Sequence, residues 1–231
     1  MIKVRESQDR GHANHGWLDS YHTFSFGSYY DLDNISFRCL RVINEDRIEG
    51  GAGFPSHPHS DMEILTYVVS GELSHKDSMG NQETIKPGEI QRMSAGTGVV
   101  HSEFSSSENV THLLQIWIIS DKRGYSPSYQ QKDFSKQCDK NCLTLAVSPD
   151  GHSDSLTIHQ NMQLFIGHLL PYEKRTYAFQ DKRYGWIQVV KGKMEINNTI
   201  VHAGDGVEIS DEILIEMKGI DTSEFLLFDL P

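Results

Sequence analysis

Apolar residues in this chain come in runs of strand length separated by turn residues, and almost nowhere with the three-to-four-residue period of a surface helix. Seven such runs, at 37–43, 64–69, 99–104, 113–119, 186–190, 213–217 and 225–230, are rich in Val, Ile, Leu and aromatic side chains. Between them stand Ser70-Gly71, Met79-Gly80-Asn81, Pro87-Gly88, Asn197-Asn198 and Gly204-Asp205-Gly206, residue types that reverse a chain. Many short strands joined by regular turns make a mostly β protein, built as a sandwich, jelly roll or barrel.

The runs also repeat. Tyr67-Val68-Val69-Ser70-Gly71-Glu72-Leu73 reads like Gln188-Val189-Val190-Lys191-Gly192-Lys193-Met194 at an offset of 121 residues, and Lys86-Pro87-Gly88-Glu89 reads like His202-Ala203-Gly204-Asp205 at an offset of 116. The run at 113–119 has its late counterpart at 225–230. Strand, glycine turn, strand, small-Gly-acid turn and closing strand thus occur twice in the same order, which predicts two β domains of one architecture. The expected boundaries are 1–120 for the first domain, 121–159 for a linker and the start of the second, and 160–231 for the second.

Composition excludes several roles. Lys and Arg number 21 against 32 Asp and Glu, a net charge of −11 that repels a phosphate backbone, so no direct nucleic-acid partner is expected. No apolar run approaches the roughly 18 residues of a membrane span, and charged Met1-Ile2-Lys3-Val4-Arg5-Glu6 is followed by no apolar leader, so a cytoplasmic protein without membrane contact is expected. Three cysteines, Cys39, Cys138 and Cys142, do not make a disulfide framework, and Cys138 and Cys142 read as free thiols. Asp31 and Asp33 form a turn, since Ile35 replaces the next oxygen ligand of a calcium loop. Gly96-x-Gly98 is not a dinucleotide loop, because His101 stands where the third glycine would be. No G-x-S-x-G elbow offers a hydrolase nucleophile.

Chemistry concentrates in two pairs. His57 and His59, and His101 and Glu103, are each spaced by two, so each pair lies on one face of a strand. Were the two strands to face each other inside a small barrel, three imidazoles and a carboxylate would converge, a donor set for a divalent first-row metal with positions left for water or substrate. The remaining histidines, His12, His15, His22, His75, His112, His152, His159, His168 and His202, read as solvent-facing or hydrogen-bonding.

Gly51, His57, His59, Glu63 and Gly71, followed by Pro87-Gly88 and by Gly96 through His101, resemble the two motifs of the cupin superfamily. Gly96 stands where Pro is usual, and the gap from Glu63 to Gly71 is one residue longer than the common form. The cupin resemblance implies Glu63 as a fourth ligand, with Glu103, on the same face as His101, an equally placed competitor. A narrower resemblance covers essentially the whole chain. Arg10-Gly11-His12, His15-Gly16-Trp17-Leu18-Asp19-Ser20-Tyr21-His22-Thr23-Phe24-Ser25-Phe26, Tyr29-Tyr30-Asp31, His57-Pro58-His59, Met93-Ser94-Ala95-Gly96-Thr97-Gly98 and Gln115-Ile116-Trp117 are similar to the signature of the pirin family, and most closely to its bacterial members with quercetin 2,3-dioxygenase activity.

The resemblance implies a bicupin of two jelly-roll barrels and decides between the carboxylates: the metal ligands correspond to His57, His59, His101 and Glu103. Glu63 is then expected to orient a ligand imidazole or a water. It implies one divalent ion, expected as Fe(II), with Zn, Ni, Cu and Mn also compatible, and a metal-dependent dioxygenase that cleaves a flavonol such as quercetin with O2. Glu103 is a candidate base as well as a ligand. The alternative is a non-enzymatic regulator whose metal state controls binding to a protein partner; another cupin reaction is a third. At the repeat offsets His57, His59, His101 and Glu103 fall on Ala178, Gln180, Met217 and Gly219, so the second domain is expected to lack the metal. A monomer is expected, since two fused domains can cover each other's sheet edges.

Overall fold

A computed structural model describes all of the 231 residues except 107 and 138–140. It is built from strands: β1 (Ile2–Arg5), β2 (Gly11–Asn14), β3 (Leu18–His22), β4 (Leu40–Ile48), β5 (Gly53–His59), β6 (Met62–Ser70), β7 (Leu73–Asp77), β8 (Gln82–Ile85), β9 (Glu89–Ser94), β10 (Val99–Ser105), β11 (Thr111–Ile119) and β12 (Ser128–Asp133). There follow β13 (Cys142–Ser148), β14 (Leu156–Thr157), β15 (Gln163–Leu169), β16 (Lys174–Ala178), β17 (Tyr184–Lys191), β18 (Lys193–Ile196), β19 (Thr199–His202), β20 (Gly206–Ile209), β21 (Leu214–Gly219) and β22 (Ser223–Leu230). Each apolar run seen in the sequence overlaps a strand. Strands β5, β8 and β12, which carry no such run, are polar or partly exposed along most of their length, and hydrophobic patterning does not reveal them.

Two compact units emerge. The first comprises Gly11–Asp133 with Ile158–Gln160 and pairs a seven-stranded sheet, β12-β9-β6-β11-β4-β3-β2, with a four-stranded sheet, β5-β10-β7-β8. The second comprises Met1–Arg10, Phe134–Thr157 and Asn161–Pro231, with sheets β1-β20-β17-β22-β15-β13-β14 and β16-β21-β18-β19. The orders correspond strand for strand through β9-β6-β11-β4 and β20-β17-β22-β15, and through the two smaller sheets. The chain therefore contains two cupin barrels.

The units differ in detail from the boundaries expected from sequence. Residues 1–10 belong to the C-terminal unit because β1 pairs antiparallel with β20, and β12 adds to the first barrel through β9. Each barrel thus completes its larger sheet with a strand from outside the repeated motif. Neither addition is visible in local patterning, because backbone hydrogen bonds to an open sheet edge need no particular side chains.

The two interiors are unlike. In the C-terminal unit, thirteen buried residues, Ile187, Met194, Met217 and Phe225 among them, form one continuous apolar core. In the N-terminal unit two smaller clusters occupy the inner face: Leu18, Ile48, Val68, Leu73, Ile85 and Leu113 in one, and Ile64, Met93, Ala95 and Val99 in the other. Side chains alternate along a strand, so Thr66 lies between Val68 and Ile64, and Gln115 lies between Leu113 and a partly buried Trp117. The register aligns His22, Asn44, Gln115, Thr66 and Gln91 as one row across five neighbouring strands. A polar belt thus interrupts the apolar lining, and the candidate site is built on it.

The described cysteines are unlike one another. Cys39 is a buried free thiol, whereas Cys142 is disulfide-bonded, which corrects the free-thiol expectation there; Cys138 lies outside the described residues. No helix among the described residues is long and apolar enough to cross a membrane.

Candidate metal centre

The two histidine-bearing strands do not face each other across the barrel. They are hydrogen-bonded neighbours, with His57 directly opposite His101 and His59 opposite Val99. Direct cross-strand partners bring side chains within contact distance, and the imidazole centroids of His57, His59 and His101 form a triangle of 4.8, 4.4 and 4.8 Å. The register slips between His101 and Glu103, so that Glu103 lies opposite Phe54. Such a bulge re-aims the side chains that follow it. The cross-strand contact is close enough at Gly53 that an added Cβ would stand 2.2 Å from the Glu103 carbonyl oxygen.

His57, His59 and His101 offer one donor atom each within 4.8 Å of one another, as do His101, Glu103 and His75. Both ring nitrogens of His101 are buried without a hydrogen-bond partner, a costly state for an imidazole that a cation bound at one nitrogen would relieve. His57 spends its Nδ1 on the Pro55 carbonyl at 2.7 Å, which leaves Nε2 for a ligand. Burial, followed by the neighbouring His101 and His57, pushes His59 down to about 4. Burial likewise brings His101 to about 4, with Glu103 opposing and His57 and His75 reinforcing. Both rings are therefore neutral at physiological pH, the form that binds metals.

Glu103 is fully buried, which raises its pKa, but the neighbouring His75, with His101 and His57 acting in the same direction, outweighs this and holds the carboxyl below its ordinary value. Gln115 Nε2 donates to Glu103 Oε2 at 2.8 Å, and Thr66 Oγ1 donates to Gln115 Oε1 at 2.8 Å. On the other side stands His75, buried, with Nε2 3.2 Å from Asp77 Oδ2 and Nδ1 4.0 Å from Glu103 Oε1. Asp77 is anchored in turn by Asn81 and by the backbone N–H groups of Met79 and Asn81. Gln115, Thr66, His75 and Asp77 are the supporting residues that the sequence reading did not assign to the site. Only Gln115, inside the Gln115-Ile116-Trp117 motif, carried a sequence signal.

Glu63 is placed elsewhere. It is wholly buried, but Oε1 accepts from Ser94 Oγ at 2.5 Å and contacts His159 Nδ1 at 3.0 Å. Thr66 and Glu63 differ by three along one strand, so if Thr66 faces the barrel interior Glu63 faces out. The expected role in orienting a ligand imidazole or water is corrected accordingly: Glu63 holds the segment around His159, whose ring stacks on Tyr125 at 3.7 Å. The Gly96 departure is explained as well. Gly96 has φ +46°, and a Cβ there would lie 2.1 Å from the Tyr125 carbonyl oxygen, a position closed to proline.

The cluster opens onto a cavity of about 600 Å3 whose lining includes His57, His59, Glu103, Gln115 and the aromatic rings of Trp17, Phe26, Phe54 and Trp117. That volume falls within the roughly 300–1,000 Å3 of small-molecule sites. Trp117 meets His59 edge-on at 4.9 Å and Phe26 at 5.5 Å. In the C-terminal unit, by contrast, Met217 lies in the apolar core and a Cβ at Gly219 would meet the Leu170 carbonyl at 2.3 Å.

Residues 3–118 match the family described as Pirin, and residues 145–230 match the quercetinase C-terminal cupin domain. Among curated relatives, the quercetin 2,3-dioxygenase of Escherichia coli K12 is 50% identical over 100% of this chain and 99% of its own length. The pirin-like protein of Caulobacter vibrioides is 38% identical over 99% of each. The crystal structure of the bacterial pirin YhhW from Escherichia coli in complex with nickel(II) superposes with a TM-score of 0.96 at 49% identity, covering 100% of this chain and 99% of that one. With its two cupin barrels, its imidazole and carboxylate cluster and full-length identity of this order, the chain belongs to the pirin family.

Proposed function

We propose that the protein is a metal-dependent dioxygenase that cleaves a flavonol such as quercetin with O2, its metal held by His57, His59, His101 and Glu103. The observation that carries the reading is the donor triad of His57, His59 and His101, with Glu103 grouped with His101 and His75, beside a cavity whose lining includes His57, His59, Glu103 and several aromatic rings. The donor set suits first-row divalent ions, and Fe(II) is the ion proposed. When bound, such an ion supplies Lewis acidity to an enol oxygen and a redox centre for O2.

The protein's own groups prepare that chemistry. His59 and His101 are neutral without having to lose a proton at working pH. Gln115 fixes Glu103 Oε2, while Oε1 has Thr66 only at 3.5 Å and His75 at 4.0 Å. Ionised and loosely held at Oε1, Glu103 takes the proton of the incoming enol hydroxyl, within hydrogen-bond reach of the site it helps form. Trp17, Phe26, Phe54 and Trp117 hold a flat ring system by stacking and edge contacts.

The test is to purify the protein without added metal, quantify bound metals by mass spectrometry, and follow O2 consumption with quercetin in wild type and Glu103→Ala. About one redox-active metal per wild-type chain and O2 uptake that falls at least about tenfold in the variant are expected. Metal without O2 uptake would favour a regulator whose metal state governs a partner. Absence of metal under several loading conditions would remove the site itself.

A further inference from the structure

The polar belt divides into two halves with different partners. Gln91, Thr66 and Gln115 run toward Glu103 through hydrogen bonds. The other half is Ser20, His22, Asn44 and Asp46. Ser20 lies opposite Asp46 and His22 opposite Asn44 on adjacent strands, and all four line the same cavity as His57, His59 and Glu103. Their exposures are only 2, 6, 4 and 3%, so four polar side chains are buried on the wall of a cavity that also carries Trp17, Leu18, Phe26, Phe54 and Trp117.

Their mutual hydrogen bonds leave a remainder. Ser20 Oγ donates to Asp46 Oδ1, and Asn44 Oδ1 pairs with His22 Nδ1 at 2.8 Å. Among the hydrogen bonds of the described residues, none involves Asp46 Oδ2 or Asn44 Nδ2. One is an acceptor and the other a double donor. They sit two residues apart on one strand face, about 7 Å along it. A hydroxyl can donate to the one or accept from the other, so a ring that carries more than one hydroxyl can satisfy both.

We propose that Asp46 and Asn44 form a hydroxyl-reading strip, which makes the protein specific for polyhydroxylated aromatic substrates over analogues lacking the ring hydroxyls. The proposal rests on the dioxygenase reading and names what selects the substrate at that site. Consistent with the geometry, burial raises Asp46 to about 7 despite the Ser20 hydrogen bond, with Glu103 and Glu45 adding to the rise; the carboxyl lacks the donors that would support its ionised form.

The test compares quercetin with 3-hydroxyflavone, which keeps the enol and carbonyl oxygens and lacks the other hydroxyls. Binding to the nickel-loaded protein is followed without oxygen by quenching of tryptophan fluorescence, since Trp17 and Trp117 line the cavity. Wild type is expected to bind quercetin about tenfold more tightly, as for one further hydrogen bond in a buried site. Asp46→Leu is expected to bring the ratio close to one while the affinity for 3-hydroxyflavone changes by no more than about twofold. Should Asp46→Leu not fold, Asp46→Asn, nearly isosteric, must lower the ratio at least about threefold. A wild type without preference, no measurable quercetin binding, or a ratio unchanged in a folded variant overturns the strip. O2 uptake in air is read separately: its absence beside an intact binding ratio sinks the dioxygenase reading and leaves the strip standing.

Discussion

Asp46 and two histidines of the candidate metal centre respond to pH in opposite directions. Asp46 has a folded-state value of about 7 against an ordinary 3.8, so between these limits the native state holds a proton that the unfolded chain has released. Its contribution therefore favours folding at low pH and is lost as pH rises through 7. Asparagine cannot titrate. The stability of metal-free Asp46→Asn relative to wild type is expected to grow as pH rises from about 4 to above 7 and then to level off. Urea denaturation of both proteins at pH 4.5, 6 and 8 measures it, and a difference independent of pH would refute the assignment. His59 and His101, at about 4, bind protons in the unfolded chain first. They favour folding above the ordinary 6.5, and that contribution fades as pH falls toward 4.

Among the elements, the pairing of β5 with β10 does most to assemble the site. It converts two sequence pairs more than forty residues apart into one cluster by placing His57 beside His101. Gly53 permits the close approach at the start of β5, where a Cβ would also come within 2.5 Å of the Phe104 Cα. Backbone cannot yield as a flexible side chain does, so Gly53→Ala should force the two strands apart. A loss of about 1–3 kcal/mol in stability is expected, typical of overpacking. Because His57 and His59 move relative to His101, metal affinity should fall as well, which equilibrium dialysis with nickel(II) would detect. Unchanged affinity in a destabilised variant would show that the strands shift without disturbing the donors.

For the whole molecule, the same barrel has been put to two uses. One interior is filled by a continuous apolar core and the other is divided by a polar belt. The C-terminal unit also depends on the first residues of the chain: Ile2 and Val4 pack against its core, β1 covers the edge of β20, and the Met1 amino group pairs with Glu212 at 2.7 Å. Deleting residues 1–10 should expose that edge and destabilise this unit by several kcal/mol, from lost apolar burial and strand pairing. Nickel stoichiometry should stay near one per chain, since among the described residues no candidate ligand cluster lies in the deleted segment or in that unit. Proteolysis followed by mass spectrometry would locate the new cuts; cuts confined to residues 11–133 would contradict the expectation.

The sequence by itself determined the β class, the doubled architecture and the two spaced pairs from which the candidate site is drawn, while the choice of Glu103 over Glu63 came from the family resemblance. The first three follow from local regularities: apolar runs of strand length, glycines at turns, and spacing by two that puts both members of a pair on one strand face. What it could not determine was which strands are neighbours, because register depends on pairing between distant segments. That pairing put His57 beside His101 rather than across the barrel from it. It turned Glu63 away toward His159, brought β1 to the second barrel, and aligned Gln91, Thr66, Gln115, Asn44 and His22 in one row. Each of those five is an unremarkable polar residue within its own strand. Only the tertiary register makes them a belt, because the cost of burying a polar group and the hydrogen bonds that offset it are set by the neighbouring strand.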